Sequence, residues 1–343
     1  MYWCAPFVAL AVVTAAMAPG QATAQDVRLI GSGASFPFPI YSAWFKDFSK
    51  QNHGVTVDYQ AKGSGAGIQD FINHTVDFAG SDAAMTDEEI AKVSDGVVFL
   101  PITAGEIVLA YNLPGNPKEL KLPHDVYPDI FLGKITKWND PRIATANPSL
   151  KLPDLQVTVV RRSDASGTTF VFTKHLSAVN QAFAKEVGSG TTVQWPKGEK
   201  MVAAPKNDGV TATIKQTPGA IGYIEYGYAK LTKADSAQLQ NKAGNYVAAS
   251  DKSGAATLAT AVLGPDLRGW IEDPVGADAY PIATLPTRSR MRRRRNGCAS
   301  WSITASLRAK RYPTAWVISR CRPASSRRSR RHRRRSNSNG DTS

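Results

Sequence analysis

Residues 27–82 read VRLIGSGASFPFPIYSAWFKDFSKQNHGVTVDYQAKGSGAGIQDFINHTVDFAGSD, and the spacing of apolar residues along this stretch decides the class of fold. Short apolar runs, RLIGSG at 28–33, VTVDYQ at 55–60 and VDFAGSD at 76–82, alternate with two helix-length amphipathic runs at 39–52 and 66–75. The order β-α-β-α-β predicts an α/β fold with a mostly parallel sheet flanked by helices, because a parallel strand pair needs a long crossover that a helix supplies.

Working outward, the alternation continues. Strands are predicted at VVFLPIT (97–103), GEIVLAYNL (105–113), VTVVRRS (157–163) and AIGYIEY (220–226). Helices are predicted at DVYPDIFLG (125–133), at 168–186 and at GVTATIKQTP (209–218). The apolar stretch 97–113 is long for one strand and breaks at Thr103-Ala104-Gly105, which is where a chain can leave one lobe for another. Single cores stop growing near roughly 250–300 residues, so two lobes are expected from 343. Lobe one is read as 25–104 plus 277–284 and lobe two as 105–276. The second crossing is placed near Gly276, with YPIA (280–283) as a strand returning to lobe one.

The formal net charge of +14 would suggest a nucleic-acid or membrane-surface partner if it were spread along the chain. It is not. Of the 42 basic and 28 acidic residues, 285–343 hold 18 and one, which leaves the body mildly acidic with 24 against 27. The basic stretch has 17 arginines and no sustained apolar period. We expect it to be disordered or the product of a shifted reading frame, with an Arg-rich nucleic-acid arm as the alternative; no nucleic-acid partner is expected. At the other end, APFVALAVVTAAM (5–17) is too short to span a bilayer and is followed by Ala22-Thr23-Ala24. Residues 1–24 are therefore expected to be a cleaved signal peptide, which implies export. Cysteine occurs only at 4, 298 and 321, so no disulfide framework, thiolate metal site or cysteine nucleophile is expected in the body.

Three segments share one design, in which a strand end leads through small residues into a helix: GSGASFPFP with Ser35 and Phe36, KGSGAG with Ser64, and RRSDASGTTF with Ser166, Gly167 and Thr168. The first turn of a helix has unpaired N–H groups and the positive end of the dipole, so converging helix starts make an anion site without a metal. The plain alternative for each hydroxyl is helix capping. Arg161 and Arg162 precede the third turn, and a guanidinium grips a tetrahedral oxyanion through two hydrogen bonds. One of the two is expected to face the ligand; the alternative is an ion pair with Asp154 or Asp164. Asp82 either caps the helix starting near Thr86 or accepts a proton from a ligand oxygen. The second role admits protonated phosphate and rejects sulfate, which has no proton to give at neutral pH.

In order and spacing, GSGASFPFPIYSAWF, GSGAGIQDF, TVDFAGSDAAMTDEE, IFLGKITKWNDPRI, VVRRSDASGTTFVFTKHL and PGAIGYIEYGYAK resemble the phosphate-binding proteins of bacterial high-affinity phosphate ABC importers, over residues 28–284. The resemblance implies a two-lobed periplasmic-binding-protein (Venus flytrap) fold with the ligand in the interlobe cleft. It implies phosphate held by Ser35, Phe36, Ser64, Asp82, Arg162, Ser166, Gly167 and Thr168, with Asp164 supporting the arginine. It further implies a periplasmic monomer that delivers inorganic phosphate to permease subunits. At the C-terminal end the resemblance stops, since arginine clusters stand where the family completes lobe one, so weakened folding of that lobe or impaired closure is expected.

An enzyme is not expected, and neither is a cofactor or a metal. A phosphate-releasing hydrolase would need a metal cluster or an activated nucleophile. His53, His74, His124 and His175 are scattered without ligand spacing and are read as exposed or capping residues, and no GxSxG, Walker A or HExxH motif occurs.

Overall fold

The computed structural model describes residues 27–197 and 200–285, together with the backbone of 287–291, 302–305 and 316–319. Lobe one is built from β1 (Val27–Gly33), α1 (Phe38–Gln51), β2 (Val55–Ala61), α2 (Ser64–Ile72), β3 (Phe78–Ser81), α3 (Asp87–Ala91) and β4 (Val97–Pro101). Lobe two follows as β5 (Gly105–Tyr111), β6 (Lys121–Leu122), α4 (Val126–Phe131), α5 (Pro141–Ala146), β7 (Thr158–Arg162), α6 (Gly167–Val179), α7 (Gln181–Glu186) and β8 (Met201–Ala204). It continues through α8 (Lys206–Gln216), β9 (Ala220–Glu225), α9 (Tyr226–Thr232), β10 (Asp235–Ser236), β11 (Gln238–Gln240), β12 (Tyr246–Val247), α10 (Asp251–Leu258) and β13 (Ala283–Thr284). The chain then forms β14 (Thr287–Met291) and the antiparallel pair β15 (Ser302–Ala305) and β16 (Trp316–Ser319).

The opening stretch folds as its periodicity predicts: β1 pairs in parallel with both β2 and β3. The sheets as wholes are mixed rather than mostly parallel. Lobe one runs β2-β1-β3-β14-β4, with β14 antiparallel to both neighbours. In lobe two β7 is parallel to β8 and β9, while β5 is antiparallel to β9, β10 and β13. Of the antiparallel strands, β5, β13 and β14 lie next to the crossings, where the chain enters and leaves each lobe rather than winding through a helix.

The crossings correct the expected lobe boundaries. YPIA does not return to lobe one: Ile107 N donates to Ile282 O at 2.9 Å, and Tyr280 and Ile282 are buried in the core of lobe two. Gly276 is not a crossing either, since Asn241 Nδ2 reaches the carbonyls of Gly276, Ala277 and Ala279 at 3.0–3.1 Å and ties that loop to lobe two. The return comes later. Thr284 pairs with Gly105 on the lobe-two side and Thr287 with Pro101 on the lobe-one side, so the two crossings run antiparallel beside one another. The break expected at Thr103 to Gly105 is one of them.

The expectation of disorder from 285 onward is also corrected at its start, because β14 is an interior strand of the lobe-one sheet. Main-chain groups pair whatever side chains they carry, so an arginine-bearing segment can complete a ladder that would otherwise leave one edge of β3 and the facing edge of β4 unpaired. Apart from the β15–β16 pair, the remaining residues of the arginine-rich stretch, and residues 1–24, lie outside the described residues.

The helix predicted at 168–186 is two helices, because Asn180 caps α7 by accepting from Phe183 N at 2.9 Å. Apolar burial is unequal. Lobe two has an extended core around Trp138, Tyr127, Phe131, Phe172 and Tyr223, whereas the described core of lobe one is a small cluster around Ile68, Phe71, Met85 and Phe99. The histidine reading fails at His175, which is fully buried in α6, 2.8 Å from the Tyr127 hydroxyl.

Candidate functional site

Each predicted site residue sits at a strand end, at a helix start or in the short turn between the two. Ser35 and Phe36 follow β1 in the turn before α1, both buried. Ser64 opens α2 after Gly63, whose φ of +99° suits glycine, and a Cβ there would also strike the Asp164 carboxylate. Asp82 follows β3 and is 4% exposed. It does not cap α3: Thr86 does, in a reciprocal capping box with Glu89.

From lobe two, Arg162 ends β7 and is buried at 4% exposure. Its Nε donates to Asp164 Oδ1 at 2.8 Å, Nη2 pairs with Asp164 Oδ2, and Nη1 donates to Thr168 Oγ1 at 3.3 Å. Of the two arginines, Arg162 is the inward one. Arg161 flanks a separate surface pocket with Trp195 and Lys197, and Asp154 pairs with Lys137 at 2.7 Å. Ser166 does cap α6, accepting from Thr169 N at 3.1 Å, so the capping reading holds for it. Gly167 and Thr168 form the first turn of α6.

The lobes touch at this point. Gly65 N donates to Ala165 O at 3.0 Å, and the Tyr228 hydroxyl donates to Ser35 O at 2.7 Å. Predicted residues of the two lobes thus meet along one interlobe seam, where a Cβ at Gly167 would strike Ser64 and Asp82. Sequence reasoning missed Asn207. Its backbone N and Nδ2 donate to Ser35 Oγ at 3.1 and 3.0 Å, and Nδ2 also reaches Thr168 Oγ1 at 3.3 Å. The signal was the pair Asn207-Asp208 before the predicted helix at 209–218; α8 begins earlier, at Lys206, and adds a fourth helix start to the seam. Glu225 was missed too. It ends β9, caps α9 by accepting from Gly227 N at 2.7 Å, and acts electrostatically on Asp82.

The electrostatics centre on Asp82. Burial raises its carboxyl to about 7; Arg162 opposes that rise, Glu225 adds to it, and the Thr168 hydroxyl opposes it. Asp82 Oδ1 has no hydrogen-bond partner among the described residues. Burial also disfavours the charged form of Asp164, yet its hydrogen bonds from Arg162 and from Lys206 N override this and hold it below the usual carboxylate range. Arg162 is therefore paired with an ionised Asp164, with Thr168 beside it. Among the described residues no cluster of three or more His, Cys, Asp or Glu has the arrangement of a metal site.

Two α/β lobes joined by a pair of strand crossings, closed on a seam of helix starts with a buried arginine and a buried acid, define a bilobed solute-binding fold. Residues 16–285 match the PBP superfamily domain. The chain is 40% identical over 267 residues to the phosphate-binding protein PstS of Xylella fastidiosa strain Temecula1, covering 77% of this chain and 72% of that one. It is 44% identical over 240 residues to phosphate-binding protein PstS of Pasteurella multocida, covering 70% and 68%. Among solved structures, the phosphate-binding protein from Stenotrophomonas maltophilia superposes with a TM-score of 0.60 at 22% identity, covering 77% of this chain and 79% of that one. The chain belongs to the PBP superfamily and, within it, to the PstS family of phosphate-binding proteins.

Proposed function

We propose that this chain binds one inorganic phosphate at the seam between its lobes and hands it to the permease of an ABC importer, catalysing no reaction. The observation that carries the reading is the buried Asp82 carboxyl, with one oxygen unpartnered, set beside the Arg162–Asp164 pair and the first turn of α6. A carboxylate in an anion site repels its ligand unless the ligand brings a proton, and phosphate does. The names of the PstS relatives point to the same ligand.

In this reading Ser35, Phe36 N–H, Ser64, Ser166, Gly167 N–H and Thr168 donate to phosphate oxygens, Arg162 supplies the charge and Asp82 accepts the ligand proton. Asp164 holds the guanidinium in plane. Lobe one extends to β4 and takes in β14, and lobe two runs from β5 to β13. Closure occurs about the paired crossings, driven by ligand contacts made only when both lobes meet. Export through the N-terminal segment places the chain in the periplasm as a monomer, where its closed form is what a permease distinguishes.

Isothermal titration of the chain from Gln25 onward, with phosphate and with sulfate as control, tests the function. Heat with phosphate and none with sulfate is the expected result; no phosphate heat from a cooperatively melting chain would overturn it.

A further inference from the structure

We propose that Asn207 fixes the proton directions of the Ser35 and Thr168 hydroxyls, so that both can only donate toward a bound oxyanion and acceptance is left to Asp82. The inference rests on the phosphate-binding reading and adds a residue that sets how that site counts protons.

Asn207 is fully buried. A side-chain amide can be turned either way, but here a neighbour settles it: Glu225 N donates to Asn207 Oδ1 at 2.9 Å, and a backbone N–H has no other role. The amide oxygen therefore faces β9 and the NH2 group faces the seam. That NH2 reaches Ser35 Oγ at 3.0 Å and Thr168 Oγ1 at 3.3 Å. Each hydroxyl oxygen also receives a second obligate donor. For Ser35 it is Asn207 N at 3.1 Å, and for Thr168 it is Arg162 Nη1 at 3.3 Å.

A hydroxyl has two lone pairs and one proton. With both lone pairs engaged by groups that cannot accept, the one remaining bond is a donated one. A serine or threonine that rotates freely would accept from a protonated ligand oxygen as readily as it donates to a bare one, and the distinction between anions would blur. Here one amide removes that freedom on both sides at once, since Ser35 belongs to lobe one and Thr168 to lobe two. The arrangement is complete only while the lobes are closed. Asn207 acts through the two hydroxyls and is a positioning residue.

A double-mutant cycle on the full chain, titrated with inorganic phosphate, tests this. Asn207→Ala is measured in the parent and in a Ser35→Ala/Thr168→Val background. Because Asn207→Ala leaves the buried Glu225 N–H unpaired, Asn207→Asp, which keeps an acceptor toward Glu225, is run in parallel. Asn207→Ala is expected to weaken phosphate binding by about 10- to 100-fold in the parent and by no more than about threefold where the hydroxyls are gone. Asn207→Asp draws the hydroxyl protons onto itself. Its loss is expected to exceed about 100-fold and to shrink by at least about tenfold in the same background. Equal losses in both backgrounds, or no loss in the parent, would overturn the role of Asn207 alone. A parent that binds no phosphate would overturn the proposed function and this inference with it.

Discussion

Gly167 presses its bare α-carbon against Asp82: a Cβ at Gly167 would lie 2.7 Å from both Cβ and Oδ2 of Asp82, the residue it meets from the other lobe. The first residue of α6 is thus a contact point of closure as well as a helix start. Gly167→Ala should leave lobe two folded, since alanine favours a helix by roughly 0.5–1 kcal/mol over glycine. It should nonetheless hold the lobes apart and weaken phosphate binding by more than about 100-fold, about 3 kcal/mol of lost closure contacts. Titration beside a thermal melt checks both, and parent-like affinity would mean that the seam is not the binding site.

Asp82→Asn keeps the shape of the residue and removes the charge that faces the anion. The ratio of phosphate to sulfate affinity should fall by about 100-fold or more, because sulfate then no longer meets an unpaired buried carboxylate. Sulfate competition against bound phosphate measures it. An unchanged ratio would remove Asp82 from the selectivity mechanism.

Arg268 lies on the lobe-two loop yet donates to Met85 O at 3.1 Å and pairs with Asp87 at 2.8 Å, both in lobe one. Asp87 is largely exposed, so the pair contributes at most about 1 kcal/mol. Arg268→Ala should raise the phosphate release rate no more than about fivefold, with the effect fading in high salt. Stopped-flow release at two ionic strengths distinguishes this from a tenfold or larger, salt-independent change, which would make Arg268 part of the site.

Because β14 lies between β3 and β4, a chain ending at Thr284 loses an interior strand of lobe one, whereas one ending at Met291 keeps the five-stranded sheet. The shorter chain should lose cooperative melting of lobe one and phosphate binding together; the longer should retain both. Equal behaviour of the two would show that β14 contributes nothing to the lobe.

Asp82, Glu106 and Glu225 are each raised by burial to about 7 from values of 3.8 or 4.5. Between those limits the folded chain holds protons that the unfolded chain has released, so stability is greatest below them and is lost as pH rises through about 7. His175 opposes this over part of the range. Burial lowers it from 6.5 to about 4, so its contribution rises with pH in that window and is constant above it. The ligand-free chain should therefore melt at a lower temperature at pH 8 than at pH 6. Glu106→Gln should flatten that slope, and a melting temperature that climbs across the range would contradict the assignment.

Much of the site was legible because it lies in local motifs. A strand end, a small-residue turn and a helix start recur at Ser35, Ser64 and Ser166; the first two turns follow neighbouring strands of the lobe-one sheet, and the third meets them from the lobe-two sheet. Asn207 was not legible. Its role depends on Glu225 turning the amide and on Ser35 arriving from a region 172 residues away in sequence. Likewise YPIA reads as a strand from its composition, but nothing local says which sheet it joins.

The alternation of strands and helices, and the candidate turns at Ser35, Ser64 and Ser166, are readable from the chain alone, because periodicity and turn chemistry act over a few residues. That 277–284 stays with lobe two, that the arginine-bearing segment Thr287–Met291 completes lobe one, and which of two adjacent arginines turns inward are settled by the folded chain. Those outcomes depend on long-range backbone pairing and on burial of charge beside charge. Backbone hydrogen bonds are nearly indifferent to side-chain identity, so no local pattern encodes them.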